Sequence, residues 1–120
     1  MKKTVILGAS DNPERYAFKA AEMLQEAGHA FFPVGNKKGK KVLNREILPY
    51  FPKGEGIDTL TLYLNPVNQQ QYYAEILELK PKRIIFNPGA ENPELARLAG
   101  EKGIFTEEAC TLVLLRSGQY

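Results

Sequence analysis

Short aliphatic runs, each closed by a glycine or an asparagine–proline pair and then followed by helical spacing, are the feature that most restricts this chain. Thr-Val-Ile-Leu at 4–7 halts at Gly8. Four apolar-rich residues without polar alternation describe a strand covered on both faces. Ala17, Ala20, Ala21 and Leu24 then recur at i, i+3, i+4, i+7, the stripe of a helix lying on a sheet. Asn12 is its expected N-cap, Pro13 its first residue and Gly28 its stop. The alternation repeats. Strands are expected at 30–34, 60–64, 83–86 and 104–106. Helices are expected through Tyr72, Tyr73, Ile76 and Leu77, ending before Pro81, and through Leu95, Leu98 and Ala99, between Asn92-Pro93 and Gly103. Residues 37–56 predict only a short helical turn near 45–48. Residues 110–116 fit a last helix or an edge strand, with helix preferred. Such alternation demands parallel pairing, hence an α/β open parallel sheet of about five strands with helices on both faces. A length of 120 residues fits one domain, 1–120.

Composition removes several chemistries. Cys110 is the only cysteine and His29 the only histidine, so no intrachain disulfide and no His/Cys metal cage is expected. Cys110 reads as a small buried residue rather than a reactive thiol, and His29 as a solvent-exposed turn residue. The longest purely aliphatic run, 112–115, is too short to cross a bilayer. Met-Lys-Lys leads straight into the first strand without an apolar leader, so a cytoplasmic protein with no membrane partner is expected. Net charge is only +2, yet Lys37, Lys38, Lys40, Lys41 and Arg45 put five of the 16 basic residues within nine positions. Such a run is read as a solvated loop, a phosphate-binding loop or a nucleic-acid contact. No aromatic residue interleaves it, which argues against a single-strand stacking platform.

Open parallel sheets bind ligands beyond the carboxyl ends of their strands, where the strand order reverses. The residues leaving each expected strand therefore matter most. They are Gly-Ala-Ser-Asp-Asn-Pro at 8–13, Gly-Asn at 35–36, Asn65-Pro66, and Asn-Pro-Gly-Ala-Glu at 87–91. Four of the eight prolines follow asparagine. Asn-Pro is also an ordinary helix entry, so each pair has a purely structural reading as well. Gly8 permits a tight bend and close backbone approach to a pyrophosphate. Ser10 adds a hydroxyl, the next helix N-terminus adds partial positive charge, and Arg15 lies one turn in. The turn lacks the second and third glycines of the dinucleotide fingerprint, and no P-loop is present.

Together the segments at 5–10 (Val-Ile-Leu-Gly-Ala-Ser), 12–16 (Asn-Pro-Glu-Arg-Tyr), 32–34 (Phe-Pro-Val), 62–66 (Leu-Tyr-Leu-Asn-Pro), 87–91 (Asn-Pro-Gly-Ala-Glu) and 108–111 (Glu-Ala-Cys-Thr) resemble the small stand-alone CoA-binding proteins. These are similar to the N-terminal CoA-binding domain of the succinyl-CoA synthetase alpha subunit. The resemblance implies a Rossmann-like fold with coenzyme A, or an acyl-CoA, laid across the strand ends. It makes Gly8, Ala9, Ser10 and Asn12 the phosphate turn, with Arg15 and Tyr16 beside it. Val34 and Gly35 border the adenosine, and Lys37 with the lysines after it meets the ribose 3′-phosphate. Tyr63, Leu64, Asn65 and Pro66 pack along adenine and pantetheine, and Asn87, Pro88, Gly89 and Ala90 line the path to the thiol.

The resemblance does not bring a reaction with it. The synthetase's phosphorylated histidine belongs to a separate domain, and Ser10 has no histidine base at hand. No catalytic residue and no metal ligand are assigned, and the expected activity is binding without catalysis. Two other classes stay open. One is an NAD(P)-type dinucleotide enzyme, although Val34-Gly35-Asn36 lacks the acidic residue that holds a ribose. The other is a nucleic-acid-binding protein that uses the basic loop 37–45. A protein partner is also left open.

Overall fold

A computed structural model describes residues 1–37 and 39–120; Lys38 lies outside the described residues. Strand β1 (Thr4–Leu7) is buried throughout and pairs in parallel on both sides, with β2 (Phe31–Val34) and with β5 (Thr59–Leu62). Strands β6 (Arg83–Phe86) and β7 (Phe105–Glu108) complete a parallel sheet of order β2-β1-β5-β6-β7. This is the α/β open parallel sheet expected from the alternation, in the Rossmann-like form that the family resemblance implies.

Between β2 and β5 the chain departs from expectation. In place of a helical turn, β3 (Lys41–Val42) and β4 (Arg45–Glu46) form an antiparallel ribbon around Leu43, whose φ is 57°. Val42 and Ile47 are buried, and two anchors separated by exposed residues suit a ribbon lying on the core. Leu48 then runs beside Val34 in a single parallel rung, its N–H donating to Pro33 O (3.1 Å) and its O accepting from Gly35 N (3.0 Å). Counting that rung, the order is Leu48-β2-β1-β5-β6-β7, the sequence of positions found in doubly wound nucleotide-binding sheets. The chain reverses direction across the sheet between β1 and β5.

Helix α1 (Tyr16–Glu26) buries Ala17, Ala20, Ala21 and Leu24 as the periodicity requires. It starts at Tyr16, not at Pro13: Asn12 Oδ1 accepts from Glu14 N (3.0 Å) and closes a turn before the helix instead of capping it. Its end is a Schellman turn, with Gly28 N donating to Gln25 O and His29 N to Leu24 O, which the left-handed φ of +84° at Gly28 allows. Helices α2 (Pro66–Gln69) and α3 (Tyr73–Leu79) are joined by a 3-10 turn at Gln70–Tyr72. Helix α4 (Pro93–Glu101) is capped by Asn92, and α5 (Thr111–Arg116) settles the C-terminal ambiguity as a helix. Helices α1 and α5 lie together on one face of the sheet, α3 and α4 on the other. No helix among the described residues is long and apolar enough to cross a membrane.

Candidate functional site

The carboxyl ends of β1, β2, β5 and β6 share one rim. Gly8 leaves β1 with φ +91°, and a Cβ there would lie 3.1 Å from the Leu64 side chain and from the Tyr63 backbone. Both backbone conformation and space thus require glycine at the point where the strand order reverses. The amides of Gly8 and Ala9 do not face outward. Both donate to Val34 O, at 2.9 and 3.1 Å, and join the exits of β1 and β2. These two amides are therefore occupied within the protein. Outward-facing capacity lies further along. Among the described residues the amides of Ser10 and Asp11, and those of Tyr16 and Ala17 at the start of α1, have no hydrogen-bond partner. Arg15 is the N-cap of α1 and supplies no side-chain cap, so the positive end of the α1 dipole stays unneutralised beside its exposed guanidinium. Ser10 is buried, and its Oγ accepts from Asn12 N (3.1 Å) to shape the turn.

The other predicted site residues divide into those that face the rim and those that build it. Tyr16 (59% exposed) and Val67 (73% exposed) stand on either side of the β1–β5 reversal, at the starts of α1 and α2. Val67 escaped sequence reasoning because one valine after Asn65-Pro66 reads as helix filling. Pro88 and Gly89 are exposed, and Gly89 N donates to Glu91 Oε1 (2.9 Å). Asn65 is occupied as the cap of α2, accepting from Asn68 N (2.9 Å). Ala90 is buried and Leu64 half-buried. Tyr63 directly follows β5 and is half-buried. It packs with Phe18 and Leu115 on the α1/α5 side, and burial pushes its hydroxyl up to about 12 beside Thr111 and Thr61. Lys37 is exposed just beyond Gly35, whereas Arg45 of the same basic run is turned onto the Phe31 and Phe32 rings, 5.8 and 5.2 Å from their centroids.

Asn87 is wholly engaged within the protein. Its Nδ2 donates to Thr61 Oγ1 (2.7 Å) and Leu62 O (2.8 Å), and its Oδ1 accepts from Thr111 N (2.9 Å). One side chain thus ties the ends of β5 and β6 to the start of α5. A second buried tie, missed in the sequence, joins the neighbouring loops. Gln69 Nε2 donates to Leu64 O and Ala90 O, and Gln69 Oε1 accepts from Asn92 Nδ2. Nothing in a run of three glutamines distinguishes the one that is buried; only the packing does.

Two other expectations change. Cys110 is half-exposed rather than buried. His29 is at the opposite rim, where its Nδ1 accepts from Lys2 N (2.8 Å) and its ring meets Tyr120. A cavity of about 830 Å³ is also at that amino-terminal rim, between the loop carrying Phe51 and Ile57 and the end of α3. Parallel sheets do not place nucleotide sites there. No group of three His, Cys, Asp or Glu among the described residues is arranged to hold a metal.

Comparison with known proteins decides the family. Residues 2–116 match the model of the CoA-binding domain. The chain belongs to the CoA-binding domain family. Membership supports CoA binding in general. A crystal structure of an uncharacterized protein is 54% identical, with 100% of this chain and 98% of that one aligned at a TM-score of 0.95. A hypothetical protein from Pyrococcus horikoshii OT3 is 26% identical over 96% of this chain and 82% of its own, with a TM-score of 0.83. A dinucleotide-forming acetyl-coenzyme A synthetase from Ca. Korarchaeum cryptofilum shares the fold at 14% identity and a TM-score of 0.71, over 88% of this CoA-binding domain and 25% of the synthetase. A search of curated proteins gives no match.

Proposed function

We propose that this CoA-binding domain holds coenzyme A or an acyl-CoA across the carboxyl rim and catalyses no reaction on its own. The observation that carries the reading is the cluster of unpartnered amides at Ser10, Asp11, Tyr16 and Ala17 next to the Arg15 guanidinium, at the reversal of strand order. A pyrophosphate there receives backbone N–H groups and the α1 dipole together. The adenosine extends past Gly35 toward the ribbon, where Lys37, Lys40 and Lys41 are exposed and suit a ribose 3′-phosphate. Pantetheine runs the other way, over Leu64, Pro66 and Val67 toward Pro88 and Gly89. No general base is assigned, because Ser10 Oγ is committed to the turn and the Tyr63 hydroxyl stays protonated near neutral pH. A cytoplasmic, succinyl-CoA-synthetase-like binding role is part of the same reading.

Titration calorimetry with CoA, dephospho-CoA and NAD tests it. The expected order is CoA, then dephospho-CoA, then NAD. Arg15→Ala should weaken CoA by about 10- to 100-fold, the worth of one charge-assisted phosphate contact. Equal affinity for CoA and dephospho-CoA would remove the lysines from the site. Tighter binding of NAD than of CoA would overturn the reading.

A further inference from the structure

We infer that Tyr120, at the rim opposite the proposed ligand, is a positioning residue for the pantetheine half of the crevice, because it anchors the far end of α5. This rests on the CoA reading. Helix α5 has six residues, too few to persist without tertiary ties. At its front, Thr111 N donates to Asn87 Oδ1, and Thr111 Oγ1 hydrogen-bonds Thr61 Oγ1 (2.7 Å). At its back, Gly118 N donates to Leu115 O and Gln119 N to Leu114 O, a Schellman turn that folds the chain down. Tyr120 then enters the sheet's amino-terminal rim. Its hydroxyl hydrogen-bonds Thr4 Oγ1, and its main-chain oxygen accepts from Lys2 Nζ. Its ring carries the Arg83 guanidinium 4.5 Å from the centroid and the His29 ring at 5.1 Å. Arg83 in turn donates through Nε and Nη2 to Thr59 Oγ1 and through Nη1 to Glu107 Oε2.

The helix is therefore pinned at both ends to strands that terminate at the candidate site. The front pin reaches the rim through Asn87, whose other bonds fix the end of β5. Releasing the back pin leaves a six-residue helix held by Thr111 at its front and by the packing of Leu112 and Leu115 alone. Fraying then takes Thr111 N away from Asn87, and Asn87 loses the partner of its Oδ1. Disturbance should reach the Asn87–Ala90 turn and leave Ser10, Arg15 and the ribbon in place. The nucleotide half of the ligand should not sense the change.

The test uses the whole chain as wild type, Tyr120→Phe and Tyr120→Ala, with two probes: CoA and adenosine 3′,5′-bisphosphate, which lacks pantetheine. Tyr120→Ala should weaken CoA at least tenfold and change the bisphosphate less than twofold. Tyr120→Phe keeps the ring on Arg83 and should stay within threefold of wild type for CoA. Exchange of the Thr111 amide, referenced to that of Leu60 in the central sheet, should rise at least tenfold in Tyr120→Ala. Unchanged CoA affinity in Tyr120→Ala, or an equal loss of both probes, overturns the inference. So does Thr111 exchange that keeps its ratio to Leu60. If wild type binds neither probe, the CoA reading fails, and the exchange ratio alone decides whether Tyr120 holds Thr111 against Asn87.

Discussion

The two faces of one sheet share apolar packing but differ in how many hydrogen bonds they add to it. Toward α3 and α4 the strands present Val5, Leu7, Leu60, Leu62, Ile84 and Phe86, packed on Ile76, Leu95 and Ala99. Alternate residues of the same strands present Thr4, Thr59, Thr61 and Arg83, with Asn87 and Glu107 at their margins, toward α1 and α5. The first face is held by area removed from water, which has no direction and tolerates small shifts. The second combines an apolar patch, in which Ile6 and Phe31 meet Ala17, Ala21 and Leu24 of α1, with directional hydrogen bonds, and no buried side-chain polar atom among the described residues lacks a partner. Its partners include Asn87 and Thr111 at the rim. Both faces thus supply cohesion, and the Asn87–Thr61–Thr111 ties that register the end of β6 lie on the second.

That contrast is broken most sharply at the centre of the apolar face. Leu60→Ala, at a fully buried position, should cost roughly 2–5 kcal/mol by denaturant melting and leave CoA affinity nearly unchanged while the chain stays folded. On the polar face, Arg83→Met leaves Thr59 and Glu107 without their donor. The expected loss is about 2–3 kcal/mol, below that of a fully enclosed pair, because the Glu107 side chain keeps 29% exposure. Thr61→Val is milder. It removes one acceptor from Asn87 and the partner of Thr111 Oγ1, for about 1–2 kcal/mol. Unlike Leu60→Ala it should weaken CoA several-fold in calorimetry; equal effects of the two on binding would erase the division of labour.

The smallest effect is a pH dependence at His29. Burial, then the amino terminus, Lys2 and Arg83, hold its imidazole below the usual 6.5. A base with a lowered folded pKa contributes full stability above the unfolded value and loses it as pH falls through 6.5 toward the folded value. Melting temperature should therefore decline slightly more between pH 7 and 5 in wild type than in His29→Gln. Equal slopes would detach His29 from the Tyr120 anchor.

The main elements of the fold were legible because local signals agreed. Apolar runs closed by Gly8, Asn65-Pro66 and Asn87-Pro88 marked strand exits, the Ala17–Leu24 stripe marked α1, and Asn92 and Gly103 marked the ends of α4. The ribbon at 41–46 was missed because two-residue strands carry too little periodicity to separate from a turn. Asn12 stands outside α1 rather than capping it, because Asn-Pro also opens a free-standing turn.

At the site, the sequence by itself determined which residue types stand at each strand exit, and therefore where a nucleotide-binding rim has to be. Only the tertiary structure decided how each one is used. Gly8 and Ala9 donate inward to Val34, Asn87 is consumed by three partners, and Tyr63 turns to the α1/α5 layer, whereas Tyr16 and Val67 are left facing outward. The reason is that a buried donor or acceptor takes whichever partner the packing brings within hydrogen-bond reach. In these cases the partners lie 24 or more positions away in the chain, beyond any local pattern.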